Sequence, residues 1–174
     1  MESDQKADSL ESSFREMMIE HTFVSEIMQE AWFRRDKTIE VLRSEVDSSG
    51  YDLVLEFDGV VRYVQLKGSR SGASTASTTV NTSLGNKPSG CIVWVWFRED
   101  ESAGRMKLEY LFFGGGPRER LPDLGDRVGR HTKGDATGNK KERPNTRVLA
   151  KGRFSKIVDT EELMTRLFGP PKDV

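Results

Sequence analysis

The dipeptide Asp58-Gly59 stands between two runs of β-forming residues, Tyr51 to Phe57 and Val60 to Gly68. A two-residue type I′ turn needs positive φ at both central positions, and Asp-Gly meets that need with little strain, so the pattern predicts a β-hairpin. The turn also sets the pairing. Phe57 faces Val60, and every pair of facing residue numbers sums to 117. Asp52 then lies across from Gln65, with Cβ atoms about 4.5–5.5 Å apart. Lys67 falls on the same face one step along the strand. The opposite face collects Tyr51, Leu53, Leu55, Phe57, Val64 and Leu66 for the core, with Arg62 the one misfit.

Around this hairpin the chain reads as one mixed α/β domain over residues 12–171, preceded by an acidic, disordered tail at 1–11. Ser12 or Ser13 caps a long helix that runs to Arg35 with Glu16 in its first turn. Phe14, Met17, Met18, His21, Val24, Met28, Ala31 and Trp32 make its main apolar face, and Ile19, Phe23 and Ile27 form a second strip, so the helix should be covered on more than one side. Thr38 to Val46 is a strand followed by the turn Asp47-Ser48-Ser49-Gly50. The Ser-, Thr- and Gly-rich stretch Ser69 to Thr82 fits either a short helix or a loop. Gly90 to Phe97 and Met106 to Phe113 are strands, the first apolar enough to be buried on both faces. Gly114 to Asn145 lacks periodicity and reads as a long basic loop. Thr146 to Lys151 returns as a strand, and Asp159 or Thr160 caps a closing helix ending at Phe168 before Gly169-Pro170-Pro171.

Charge is unevenly spread. Residues 1–60 hold 6 Lys or Arg against 15 Asp or Glu, whereas residues 114–156 hold 12 against 5. A local basic field of that kind draws in polyanions. Arg127, Arg130, His131, Lys133, Lys140, Lys141, Arg143 and Arg147 are the candidate contacts to a nucleic-acid backbone. The apolar runs are too short for a membrane span and the N-terminus lacks the pattern of a signal peptide. A single cysteine, Cys91, inside an apolar strand can build neither a disulfide framework nor a zinc site, which points to a reducing cytoplasm.

The hairpin patch suits phosphodiester hydrolysis. Asp52 and the Gln65 carbonyl offer hard oxygen ligands to Mg2+ or Mn2+, and magnesium takes only one or two carboxylates while keeping several waters. Such an ion polarises a phosphoryl oxygen and acidifies a bound water. Lys67 is placed to position that water or to stabilise charge on the phosphate. Gln65 is neutral, so metal binding should be weaker than with two acids.

At these residues the chain resembles the PD-(D/E)XK nuclease superfamily, whose fold is also called restriction-endonuclease-like. The matching pieces are the helix Ser12–Arg35, Ser49-Gly50-Tyr51-Asp52-Leu53-Val54 and Val64-Gln65-Leu66-Lys67-Gly68, over about residues 12–100. Gln in place of the second acid is similar to the Mrr-like restriction branch. The resemblance implies a central mixed β-sheet flanked by helices and a Mg-dependent endonuclease acting on DNA in restriction, repair or phage defence. The alternative is a weakened or inactive relative that binds nucleic acid or a partner protein. It also implies an acidic residue from the first helix. Glu26 fits best by its distance before Asp52, and Glu20 is the competitor. Six residues apart, they differ by about 600° of helical rotation and cannot share one metal. A homodimer or partner chain would supply target choice.

Other residues read more plainly. His21 is expected as a core histidine, and Trp94 and Trp96 as packing residues facing one way. Gly114-Gly115-Gly116-Pro117 lacks the Lys-Ser/Thr of a phosphate loop.

Overall fold

A computed structural model describes residues 2–45, 49–131 and 140–171, with side chains from residue 11 onward. The elements follow in the order α1 (Glu2–Arg35), β1 (Glu40–Arg43), β2 (Leu53–Phe57), β3 (Val60–Arg70), β4 (Ser77–Asn81), β5 (Gly90–Asp100), β6 (Arg105–Gly114), β7 (Val128–Arg130), β8 (Glu142–Ala150), β9 (Ser155–Ile157) and α2 (Thr160–Phe168). Among the described residues the strands form a six-stranded mixed sheet, β1-β2-β3-β5-β6-β9, and a three-stranded sheet, β4-β8-β7. β3 and β5 are parallel, and the other neighbours in the large sheet are antiparallel. The domain is α/β, as expected.

Pleat alternation separates two cores. One face of the large sheet carries Leu53, Leu55, Val64, Val93, Val95 and Phe112, and both helices pack on it through Ile19, Phe23, Ile27, Leu163 and Leu167. The other face carries Ile92, Trp94, Trp96 and Phe113 and meets Val80, Leu84 and Leu149 of the smaller sheet and its connection. The expected flanking by helices therefore holds on one face only. The parallel link from β3 to β5 passes through β4 and a 3-10 turn, Thr82–Asn86, instead of a packed helix. The Ser69–Thr82 stretch is thus mostly the end of β3 and the strand β4, an outcome favoured by its Thr-rich Ser77-Thr78-Thr79-Val80.

Several boundaries move. The segment read as a disordered tail is helical from Glu2, so the helix does not start at Ser12. Its core face is the strip of Ile19, Phe23 and Ile27, joined by Val24 and Ala31, while Phe14, Met17, Met18, Met28 and Trp32 of the predicted main face stay exposed. His21 lies on that outer side and is exposed, so it is not a core histidine. The strand after α1 shortens to Glu40–Arg43; Val46, Asp47 and Ser48 lie outside the described residues. Gly90 to Phe97 is buried throughout, as its apolarity predicts. Trp94 and Trp96 pack side by side, ring centroids 5.4 Å apart. The "loop" at 114–145 contains β7 and the start of β8, a ribbon whose alternation is masked in sequence by its charged side chains. Asp159 caps α2 by accepting a hydrogen bond from the Glu162 amide at 2.8 Å. No helix among the described residues is long and apolar enough to cross a membrane.

Candidate functional site

Asp58 (φ 51°) and Gly59 (φ 73°) form the turn with both central residues left-handed. The register follows from Phe57↔Val60 to Leu53↔Val64, as the turn dictates. Regular pairing then stops, one step short of Asp52 and Gln65. The Asp52 amide donates to the Val64 carbonyl at 2.9 Å, and the Leu66 amide donates to the Asp52 carboxylate Oδ2 at 2.6 Å. Tyr51 leaves the core face expected for it and packs its ring edge-on to Tyr63, 5.1 Å between centroids, on the side of the smaller sheet. Alternation therefore breaks at Asp52. Its carboxylate anchors the open end of the hairpin as well as facing a cavity.

That cavity, about 720 Å³, lies where the N-terminal half of α1 crosses the ends of the strands. Asp52 and Lys67 line it together with Glu16 and Glu20 from α1 and with Arg15 and Arg70. Of the two helix acids weighed, the one brought to this cavity is Glu20, the competitor, beside Glu16; the preferred Glu26 is corrected, since it does not line the cavity. With Ile19, Phe23 and Ile27 seated on the sheet, the rotation between the two acids carries Glu26 away to the β6 side. There its carboxylate accepts a 2.5 Å hydrogen bond from the Tyr110 hydroxyl. Burial raises the Glu26 carboxyl above its ordinary range, the Tyr110 bond opposing it, and burial beside this carboxylate pushes the Tyr110 phenol up. Glu20 stays near the surface and accepts from Arg43 Nε at 2.5 Å.

Gln65 behaves differently from Asp52 and Lys67. It is only 3% exposed, on the face opposed by the smaller sheet, and it is not among the cavity-lining residues. Its Oε1 has no hydrogen-bond partner among the described residues. A buried amide oxygen without a partner is costly, of order 1–3 kcal/mol, and is a donor suited to a hard cation. Among the described residues no three His, Cys, Asp or Glu side chains gather into a metal-holding group. The Asp52 carboxylate faces the cavity and the Gln65 carbonyl does not, so the two expected metal ligands are not brought to one wall.

Two further features flank the site. Gly50, two residues before Asp52, sits so close to Asn81 of β4 that a Cβ there would come within 2.9 Å of the Asn81 Cβ. Asn81 pairs with Thr146 of β8, so the basic ribbon is anchored against the strand edge that leads into Asp52. On this ribbon Arg127, Arg130, His131, Lys140, Lys141 and Arg143 are exposed. Arg147 is half-buried and folds back on the Pro144 and Thr146 carbonyls. Arg130 lies 3.6 Å from Glu142. Lys133 lies outside the described residues.

The misfit Arg62 is fully buried. It donates to the carbonyls of Gly116 at 2.8 Å and Gly115 at 3.2 Å and lies over the Phe112 ring at 5.8 Å. The glycine run that is no phosphate loop is thus the acceptor for a buried guanidinium. A charged residue on an apolar strand face was the signal for it. Compared with known proteins, the chain matches no family model, no curated protein and no solved structure.

Proposed function

We propose that the chain is a nuclease-like domain of PD-(D/E)XK type, with a restriction-endonuclease-like fold, that hydrolyses phosphodiester bonds in DNA with Mg2+ or Mn2+. The observation that carries this reading is that Asp52, Lys67 and Glu20 line one cavity, at the open end of the hairpin whose register the turn sets. The order helix, three strands, intervening segment, two strands and closing helix is kept, with β4 in the intervening segment and β7, β8 and β9 added before the closing helix. When bound, the metal would polarise a phosphoryl oxygen and lower the pKa of a water. Asp52 would hold it from the cavity wall; Gln65, the expected second ligand, does not line that cavity. Lys67 orients the attacking water or stabilises charge on the phosphate. Glu20 adds negative charge to the helix wall and is itself steadied by Arg43. The exposed cations of the β7–β8 ribbon attract the strand without reading its sequence.

The test is cleavage of DNA under magnesium or manganese by the intact chain and by Asp52→Ala and Lys67→Ala. Each substitution should lower the rate at least about 100-fold, and circular dichroism should stay unchanged. Full activity in either folded variant overturns the reading. A second reading is favoured by the burial of the neutral Gln65 away from the cavity wall: a domain with weakened catalysis that binds nucleic acid or a partner protein. Salt-sensitive DNA binding with no cleavage by the intact chain selects it.

A further inference from the structure

The first half of α1 extends past its support. From Glu11 to Met18 no residue is buried, and the first contact with the core is Ile19, whose side chain meets Gly68. Two turns of helix gain little from propensity alone in water. Yet this stretch exposes Phe14, Met17 and Met18, and the same outer side continues through Met28 and Trp32. Trp32 is 57% exposed and Phe14 56%. The positions 14, 18, 21, 25, 28 and 32 advance in alternating steps of four and three, a 3.5-residue repeat that keeps one seam facing a second helix. Grooves run along both sides of the seam, one between α1 and the β5–β6 hairpin and one beside Trp32, Phe33 and Arg43.

We propose that this seam is a self-association surface on which a second copy of the chain packs its own α1 antiparallel. Charge selects this occupant and its direction. Residues 2–11 hold four acids (Glu2, Asp4, Asp8, Glu11) and one lysine, whereas the last turn of α1 holds two bases, Arg34 and Arg35. Antiparallel packing brings the acidic beginning of one helix to the basic end of the other. Parallel packing would set acid against acid. The seam is also self-complementary about a two-fold axis at the level of Phe23: Phe14 faces Trp32 of the other copy, Met18 faces Met28, and the polar pair His21 and Ser25 meet at the centre. A lone polar pair in an apolar seam fixes alignment at some cost in stability. Each face of the overhang then has a role. The outer face is covered by the second copy, which holds Glu16 and Glu20 on the inner face over the cavity with Asp52. This inference stands without the nuclease reading, because it rests on α1 alone.

Sedimentation of the full chain from about 1 to about 100 µM should show a dimer. Phe14→Glu with Met18→Glu should weaken association at least about 100-fold with the helical circular dichroism retained. A wild-type chain that stays monomeric, or a folded double variant that dimerises as before, overturns the proposal. Direction is read by mixing a Phe14→Cys chain with a Trp32→Cys chain under mild oxidation. A disulfide between the two different chains is expected. A product dominated by Phe14→Cys chains joined to one another overturns the antiparallel arrangement.

Discussion

The hairpin β2–β3 and the ribbon β7–β8 are both antiparallel pairs, yet their registers are secured in different ways. β2–β3 keeps five consecutive pairs from a turn with two left-handed residues, and one face of it, with Leu53, Leu55, Phe57, Val60 and Val64, enters the core under the helices. β7–β8 has three pairs and a register shift between Val128 and Gly129. Its outer end carries the exposed Arg130, Glu142 and Arg143, with Gly129, Thr146 and Leu149 buried toward its base. A one-residue slip in the hairpin would turn Leu53, Leu55 and Val64 out of the core and bring polar groups in. At the outer end of the ribbon, around Arg130 and Arg143, the same slip would mainly exchange one solvated charge for another. Burial specifies geometry, and exposure leaves charge free to act at a distance.

Arg62 is where this contrast can be broken most severely. Its guanidinium sits inside the hairpin layer with the Gly115 and Gly116 carbonyls as acceptors. Arg62→Ala removes the donors, leaves two carbonyls unsatisfied and opens space beside Phe112. The expected loss is about 2–5 kcal/mol, read from urea unfolding. A loss within about 0.5 kcal/mol would mean that the hairpin layer tolerates an emptied charge site as a surface does.

How much of this was legible beforehand follows the same division. The Asp-Gly turn carried its register into the structure because turn chemistry is local and one face of the hairpin is buried. The closing helix was equally legible, since Asp159 and Gly169 mark its ends. What was not legible depended on distant packing. Which strip of α1 faces the sheet is decided by the strands beneath it, and the richer apolar strip turned out to face away. Glu20 rather than Glu26 reached the cavity for that same reason. The break at Asp52 arises because a carboxylate can replace a ladder partner for the Leu66 amide, which strand periodicity does not encode. The smaller sheet was hidden because strand β4 is polar and β8 begins in charge.

The contrast also runs along α1, between Glu20 at the cavity and Glu26 under Tyr110. A carboxyl whose pKa is raised in the folded chain binds its proton more tightly there than when unfolded. Stability should therefore fall as pH rises from its ordinary value of 4.5 through the raised folded value. Glu26→Gln keeps an acceptor for the Tyr110 hydroxyl and removes the titration. Melting temperatures of wild type and Glu26→Gln should converge at acid pH and separate above it, with the variant gaining as pH rises. Parallel curves would show that Glu26 titrates as a surface acid does. The effect is smaller than that of Arg62→Ala, since the group keeps its hydrogen bond in both variants.

The smallest effect on stability should come from the ribbon, and that is what makes it diagnostic. Lys140, Lys141 and Arg143 are exposed, and no ion pair ties any of them among the described residues. Neutralising all three to Ala should change unfolding free energy by no more than about 0.5 kcal/mol, because no buried group loses a partner. DNA affinity should respond far more. Each phosphate contact contributes about 0.9 to the slope of log affinity against log salt, so three lost contacts should flatten the slope by about 2.7. Loss of affinity with an unchanged slope would mean that the substitutions act through the fold. An unchanged affinity would remove the ribbon from the nucleic-acid interface and leave the hairpin cavity to account for any binding.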